Sequence, residues 1–253
     1  MSFKSWRSYW DFSQSVNTKF RYIMSPESKD FLTAIDNTCQ KRALTLPKGT
    51  SVWRAQEGHG VRPFYQTDPD TDEEIHIEDW PCPYDSSRMK PLPFSASEGR
   101  ANSKGIPCLY VATDKETAMS EIRPWLGSII SLGHFKLSRD LRIIDFSVNH
   151  GKTNKKFYFK EPSASKIIET VWLDIDNAFS KPTKTSDLKS DYTPTQIISE
   201  FIKSKGYDGI AYKSSLADGH NIALFDLDSA EVVERAIFEP SKVRFDFEQV
   251  QED

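Results

Sequence analysis

The chain has 253 residues, of which 38% are hydrophobic and 12% aromatic, and this composition is typical of an ordered globular protein and excludes a disordered one. A formal net charge of -4 at pH 7 excludes a global basic field for general nucleic-acid binding. The first residues lack the apolar core of a signal peptide, and no window approaches 18 uninterrupted apolar residues, so we expect a cytoplasmic protein without a membrane partner.

Residues 1–46 carry apolar side chains at helical spacing and predict a helical N-terminal extension. Pro26 indicates the start of its second helix, with Ser25 as the N-cap. After a turn, residues 51–55 predict a short strand. From residue 58 to residue 94 the chain is acidic, contains six prolines and has little periodicity, which predicts a long irregular insertion.

The rest of the chain mixes strands and helices without regular alternation. A buried strand at 106–112 is followed by a helix that begins near Asp114 and ends at Glu121. The later elements are predicted strands at 128–137, 141–146, 209–213, 221–225 and 230–238 and predicted helices at 164–179 and 193–205. This order favours a mixed α+β core over a doubly wound parallel sheet. Neither GxGxxG nor a P-loop pattern is present.

The cysteines and histidines do not have the spacing of a metal site or a disulfide framework. Three cysteines, at positions 39, 82 and 108, are scattered, and the five histidines form no HxH or HExxH pattern. We therefore expect reduced thiols and no metal.

Three arginines are candidate ligands for an anion. A guanidinium can hold a phosphate with two parallel hydrogen bonds, and Arg54, Arg100 and Arg123 all lie at predicted edges or turns. Taken singly, each fits a surface ion pair better. Arg54 and Arg100 stand out because they lie among small residues, and Arg100 shares a glycine-flanked loop with Asn102, a composition typical of phosphate sites.

An acid at the end of a helix requires an explanation, because the helix dipole disfavours it there. Glu121 either pairs with Arg123 or a lysine, or it stabilises a cationic centre of the kind that forms in glycosyl transfer. Ser214 and Asn221 are similarly open, since each either binds a ligand or closes a turn.

Several segments, in this order, resemble the RES-domain family, which is named after an Arg, a Glu and a Ser. They are VWRA at 52–55, GRANSKGIPCLYVATD at 99–114, TAMSEIRP at 117–124, GYDGIAYKSS at 206–215 and NIALFD at 221–226. The resemblance assigns the catalytic residues to Arg54, Glu121 and Ser214, with Ser215 as the competitor for the serine. It also implies that residues 47–253 are the catalytic domain.

The resemblance implies an enzyme that degrades NAD+ by phosphorolysis or hydrolysis of the nicotinamide–ribose bond, as the toxin of a bacterial toxin–antitoxin module. It further implies a mainly antiparallel fold similar to ADP-ribosyltransferases. Arg54 and Arg100 would hold the pyrophosphate, Glu121 would stabilise the ribosyl cation, and Tyr110 or Ser214 would hold nicotinamide. The further substrate-binding candidates are Asn102, Ser215 and Asn221. NAD+ would be a substrate and not a resident cofactor, inorganic phosphate is a candidate co-substrate, and a cognate antitoxin is the expected protein partner.

Two other functions fit the same residues. One is ADP-ribosylation of a macromolecule in the same cleft, and the other is a non-catalytic protein whose arginine-rich cleft binds a partner. Both catalytic functions require Arg54, Glu121 and Ser214 to lie close together.

Overall fold

An eight-stranded sheet forms the centre of the protein, and a two-stranded sheet stands apart from it. The structure is a computed structural model that describes residues 2–151, 158–181, 192–244 and 249. Within these residues the strands are β1 (Ala43–Leu46), β2 (Ser51–Glu57), β3 (Gly60–Thr67), β4 (Glu74–Cys82), β5 (Leu109–Ala112), β6 (Ile130–Leu137), β7 (Leu141–Asp145), β8 (Gly209–Lys213), β9 (His220–Leu224) and β10 (Ala230–Phe238). The α-helices are α1 (Ser8–Thr18), α2 (Pro26–Cys39), α3 (Lys115–Glu121), α4 (Ala164–Ser180) and α5 (Thr193–Ser204).

The large sheet has the strand order β1-β7-β8-β9-β5-β2-β6-β10. Among the described strand pairs only β7 and β8 are parallel, and the chain between them contains α4 and α5, since parallel neighbours need a long crossover. This architecture confirms the expected mixed α+β class with a mainly antiparallel sheet. None of the helices in the described part of the chain combines the length and apolar character needed to cross a bilayer.

One face of the sheet is covered by α1, α2, α4 and α5, which share one apolar core. Phe12, Ile35, Trp172 and Ile198 contribute to it from the four helices, and Ile210 contributes from β8. The predicted Ser25 cap is confirmed, because its side chain accepts a hydrogen bond from the backbone N–H of Ser28. The predicted N-terminal extension therefore helps to cover the central sheet.

The opposite face buries the alternate residues of the same strands. Val52, Phe135, Ile143 and Ala211 lie in this second cluster, together with Met89 from the segment between β4 and β5. The period of two along each strand places neighbours in sequence on opposite faces. In β8 this alternation places Ala211 here and leaves Tyr212 on the helix-covered face.

The expectation that residues 58–94 are irregular is wrong for the stretch that forms β3 and β4. These strands pair antiparallel from Gly60↔Cys82 to Thr67↔Glu74, with one register shift between Phe64 and Tyr65. Pro63 lies within β3, and a proline is tolerated in a strand only at an edge, which is the position of both strands of a hairpin. The sequence analysis also did not predict β1, whose four residues are too few to show a period.

Candidate active site

The sheet splits between β2 and β5, and this split forms the floor of a cleft. The two strands share a single pair, Trp53↔Ala112, after which β2 continues beside β6 and β5 beside β9. Arg54 bridges the split, since its Nη1 donates a hydrogen bond of 3.0 Å to the carbonyl of Tyr110. The guanidinium thus replaces the ladder hydrogen bond that a neighbouring strand would supply to this carbonyl.

Arg54 is partly buried, and its hydrogen bonding is incomplete. Its Nε is buried and has no hydrogen-bond partner. Burial lowers the pKa of the guanidinium, and the neighbouring Cys108 and Tyr110 act in the opposite direction. An unsatisfied buried donor is costly, so the site is suited to an acceptor group of a ligand.

Helix α3 places Glu121 in the cleft. Asp114 is its N-cap and accepts a hydrogen bond of 2.7 Å from the backbone N–H of Thr117. Glu121 is the last residue of the helix, and Arg123 then turns the chain with a φ of 51°, a strained value for a residue other than glycine. The cap at Asp114 fixes where the helix begins, and the length of seven residues places Glu121 at its C-terminal end.

Two donors converge on one oxygen of this carboxylate. Ser214 Oγ donates to Glu121 Oε1 at 2.6 Å, and Asn221 Nδ2 donates to the same atom at 2.7 Å. Both donors are buried. Charge-assisted hydrogen bonds of this length offset the repulsion between a carboxylate and the helix C-terminus. The carboxylate of Glu121 is thus held in a fixed orientation within the cleft.

The loop that carries Ser214 is held in place from the other end of α3. Ser214 Oγ accepts hydrogen bonds from the backbone N–H groups of Leu216 and Ala217, which closes a tight turn. Gly219 then donates its N–H to Thr117 Oγ1 at 3.1 Å. A Cβ at Gly219 would collide with the side chains of Asp114 and Thr117, so any larger residue would displace the contacts that join this turn to α3.

Ser214, and not Ser215, donates a hydrogen bond to the carboxylate of Glu121. Ser215 is exposed and lines the cleft without a hydrogen bond to Glu121. One cavity of 270 Å³ is lined by Arg54, Glu121 and Asn221. Ser214 contacts this cavity indirectly, because it is hydrogen-bonded to Glu121. The proximity that both catalytic functions require is therefore present, and the catalytic roles of these residues stay predictions.

Arg100 lines a second cavity of 310 Å³ on the other side of Glu121. Its Nη1 donates hydrogen bonds to the carbonyls of Ala178 and Phe179 at the C-terminal end of α4, where a positive charge is favourable. Its guanidinium also lies 6.0 Å from the ring centre of Tyr192. Arg100 thus has a structural partner as well as a place in the cleft.

Asn102 is not brought to the cleft. Its buried amide donates to the carbonyls of Ser97, Ser103 and Ile106, and its Oδ1 accepts a hydrogen bond of 2.7 Å from the hydroxyl of Tyr110. The side chain lines a different cavity, toward α5. Asn102 shapes the loop that carries Arg100, and Tyr110 presents its ring to the cleft while its hydroxyl is bound to that loop.

The two cavities form one cleft because four residues line both of them: Tyr110, Glu121, Tyr212 and Asn221. The first cavity is mainly apolar apart from Arg54, and its further lining includes Trp53, Ala118 and Ile122. The second is polar and basic, with Arg100, Arg123, Lys181, Tyr192 and Ser215. The carboxylate of Glu121 lies where an apolar compartment and a cationic compartment meet.

Sequence analysis missed Trp53 and Tyr212 as cleft residues. Trp53 stacks on His134 with ring centres 5.1 Å apart and lines the first cavity beside Arg54. Burial raises the pKa of Tyr212, and the charge of Glu121 raises it further, so the hydroxyl stays neutral. The sequence pattern that could have identified Tyr212 is the alternation of side chains along a strand. Tyr212 comes two residues after the buried Ile210 and therefore lies on the same face of β8.

Among the described residues no three His, Cys, Asp or Glu side chains come together as metal ligands would. Cys39, Cys82 and Cys108 are free thiols, and burial raises the pKa of Cys108 to about 12.

Comparison with known proteins gives one family and one structure. The model of the RES domain matches residues 72–248, which includes Glu121 and Ser214, whereas Arg54 lies before the matched segment. A similar solved structure is the crystal structure of the M. tuberculosis MbcT–MbcA toxin–antitoxin complex, with 12% identity, a TM-score of 0.42, and coverage of 80% of this chain and 91% of that chain. No curated protein sequence matches significantly. Since the family model covers well over half of the chain, the protein belongs to the RES-domain family.

Proposed function

We propose that the protein degrades NAD+ by cleaving the nicotinamide–ribose bond, as the toxin of a bacterial toxin–antitoxin module. The observation that carries this proposal is the convergence of Ser214 and Asn221 on Glu121, in a cleft that also contains Arg54 with its buried, unpartnered Nε. Membership of the RES-domain family supports the same chemistry.

The arrangement suits the charge that develops in this reaction. The ring nitrogen of nicotinamide carries the positive charge in NAD+, so the C–N bond can break with its electron pair leaving on nitrogen and nicotinamide departing as a neutral molecule. Positive charge then develops on the ribosyl carbon, and an oriented carboxylate stabilises it. Glu121, fixed by two donors, is placed for this role, and no general acid is required.

The two compartments divide the substrate between them. The apolar compartment, with Trp53 and Ile122, suits the uncharged nicotinamide product, while its Arg54 Nε can donate to an acceptor of the ligand. The basic compartment, with Arg100 and Arg123, suits the pyrophosphate. The sequence analysis assigned Arg54 and Arg100 together to the pyrophosphate, and the positions of the two arginines on opposite sides of Glu121 favour separate roles.

The ribosyl carbon must finally be attacked by an oxygen of water, of phosphate or of a macromolecule. In the first two cases the attacking oxygen forms the new bond to carbon and loses a proton to solvent. A nicotinamide-release assay in phosphate-containing and phosphate-free buffer distinguishes these acceptors, since a phosphorylase stops in the second buffer and a glycohydrolase does not. Addition of ADP-ribose mass to a target identifies the transferase alternative. Absence of nicotinamide release in every condition contradicts the proposal.

A further inference from the structure

The hairpin of β3 and β4 is an exposed element that contributes nothing to the core. Apart from Gly60 and Cys82 at its base, every residue of the two strands is exposed, and none of its residues belongs to the buried apolar clusters of the described chain. The hairpin pairs with no other described strand. An isolated two-stranded sheet is marginally stable in water, so its retention calls for a function.

One face of the hairpin presents an ordered aromatic pair to solvent. The rings of Phe64 and Trp80 are stacked with centres 4.5 Å apart and planes within 3° of parallel. Both side chains are exposed, as are Val61, Ile75 and Ile77. Exposed apolar groups concentrated on one element are typical of a protein interface, and tryptophan is among the residues that contribute most to binding there.

The hairpin is strongly acidic, and this negative charge indicates which class of partner it attracts. Residues 60–82 contain one arginine and seven carboxylates, at positions 68, 70, 72, 73, 74, 78 and 79. Two of these acids have partners on the hairpin itself, since Glu78 accepts from the indole of Trp80 and Asp79 pairs with His76. Such a surface repels phosphate backbones and anionic lipid and attracts a lysine- or arginine-rich protein surface.

The hairpin is joined to the rim of the cleft. Its first strand leaves β2 just after Glu57, whose carboxylate accepts a hydrogen bond of 3.0 Å from Ser128 Oγ, and Gly58 donates its N–H to Ile129. The loop ending at Ser128 begins directly after Glu121 and exposes Trp125. The base of the hairpin therefore lies next to the loop that follows the candidate carboxylate.

We propose that the hairpin of β3 and β4 is the docking site for a basic partner protein, which covers the aromatic pair of Phe64 and Trp80 and pairs its cations with the acidic tip. The docking surface is independent of the chemistry in the cleft. Only its consequence, control of NAD+ cleavage by the docked partner, rests on the proposed function.

The test uses a labelled peptide of alternating lysine and leucine as the probe, with binding to the full chain followed by fluorescence polarisation. The peptide should bind, and its affinity should fall about tenfold when Phe64→Ala and Trp80→Ala are combined, and again when Asp70→Asn and Asp72→Asn are combined. Added salt should weaken binding. The matched control is Phe94→Ala, which removes an aromatic ring that is 96% exposed outside the hairpin and should leave affinity unchanged.

Three results would overturn the docking site. They are no binding of the lysine–leucine peptide, equal binding to the Phe64→Ala/Trp80→Ala chain, and equal affinity for a lysine–serine peptide of the same charge. Stronger binding to phosphatidylglycerol vesicles than to the peptide would assign the hairpin to a membrane and would also overturn it. None of these measurements involves NAD+, so a failure here is distinguishable from a failure of the proposed function.

Discussion

Glu121 lies at the C-terminal end of its helix, a position that disfavours a carboxylate. The C-terminal end of α3 repels an anion, and the hydrogen bonds from Ser214 and Asn221 offset this repulsion at one oxygen. The two donors come from opposite sides of the β8–β9 turn, so they fix the carboxylate in position and in orientation. The site therefore depends on the donors as much as on the acid.

Replacing one donor with a second acid tests this dependence. In Asn221→Asp the new carboxylate would lie about 3 Å from Glu121, where two like charges cannot both be stable, and one of the two pKa values should rise. At low pH the protonated aspartate can still donate, and at higher pH it repels. The ratio of variant to wild-type nicotinamide release should therefore fall as pH rises from about 5 to about 8. A ratio independent of pH would contradict the account of Asn221 as a donor.

Arg54 should be sensitive to a change of shape at constant charge. In Arg54→Lys the planar fork is lost, so one ammonium must replace both the bond to the Tyr110 carbonyl and the donor offered to the ligand. We expect a rise in KM of about tenfold or more. Arg62→Lys, on the exposed hairpin, is the matched control and should change nothing. Equal kinetics for the two variants would exclude Arg54 from the site.

At the scale of elements, α3 and the β8–β9 turn behave as one unit. Gly219 and Thr117 join the turn to the start of the helix, while Ser214 and Asn221 join it to the end. The turn is therefore positioned by both ends of a seven-residue helix.

A methyl group at Gly219 should separate the two elements. Gly219→Ala introduces a Cβ into the space of Asp114 and Thr117, and we expect a loss of about 1–3 kcal/mol, or a fall in Tm of about 2–10 °C for a chain of this size, together with a lower kcat. Thr117→Val should lower kcat by removing the acceptor of the Gly219 N–H, and Thr117→Ser should restore it. Full activity in Thr117→Val would show that the contact positions nothing.

The sequence predicts helices and strands correctly where the periodic pattern of apolar residues is long or where a capping residue marks the end of a helix. The helices with Ser25 and Asp114 caps and the strand Gly209–Lys213 lie where the sequence predicts them. The hairpin of β3 and β4 was missed because prolines and acids interrupt its alternation and because both of its faces are solvated, so no burial period exists.

At the scale of the whole molecule, the N-terminal helices complete the core. Trp172 of α4 is fully buried, donates a 3.0 Å hydrogen bond to Thr38 of α2, and contacts Phe3 edge to face. Deleting residues 2–42 would expose this apolar surface, and we expect the truncated chain to lose its cooperative thermal transition, as followed by circular dichroism. A truncated chain with unchanged Tm would instead support a separate domain beginning near residue 47.

The candidate site was predictable from the sequence only as a set of residue types. The resemblance to the RES-domain family indicated Arg54, Glu121 and Ser214, but the split between β2 and β5 that joins them arises from strand pairings far apart in the chain. Asn102 was also predicted from its position in a polar loop to bind a ligand. In the folded protein its amide instead donates hydrogen bonds to backbone carbonyls of the same loop. The local sequence does not show which hydrogen-bond partner a polar side chain has in the folded protein.

The proposed role of Glu121, stabilising the cation that forms when NAD+ loses nicotinamide, is best tested by measuring nicotinamide release by Glu121→Gln. This variant keeps the shape of the side chain and removes its charge, so we expect kcat to fall by a factor of about 10²–10³ with the fold retained. Glu116→Gln, an exposed acid on the same helix, should retain wild-type activity. Equal release by Glu121→Gln and the wild-type chain would contradict the account.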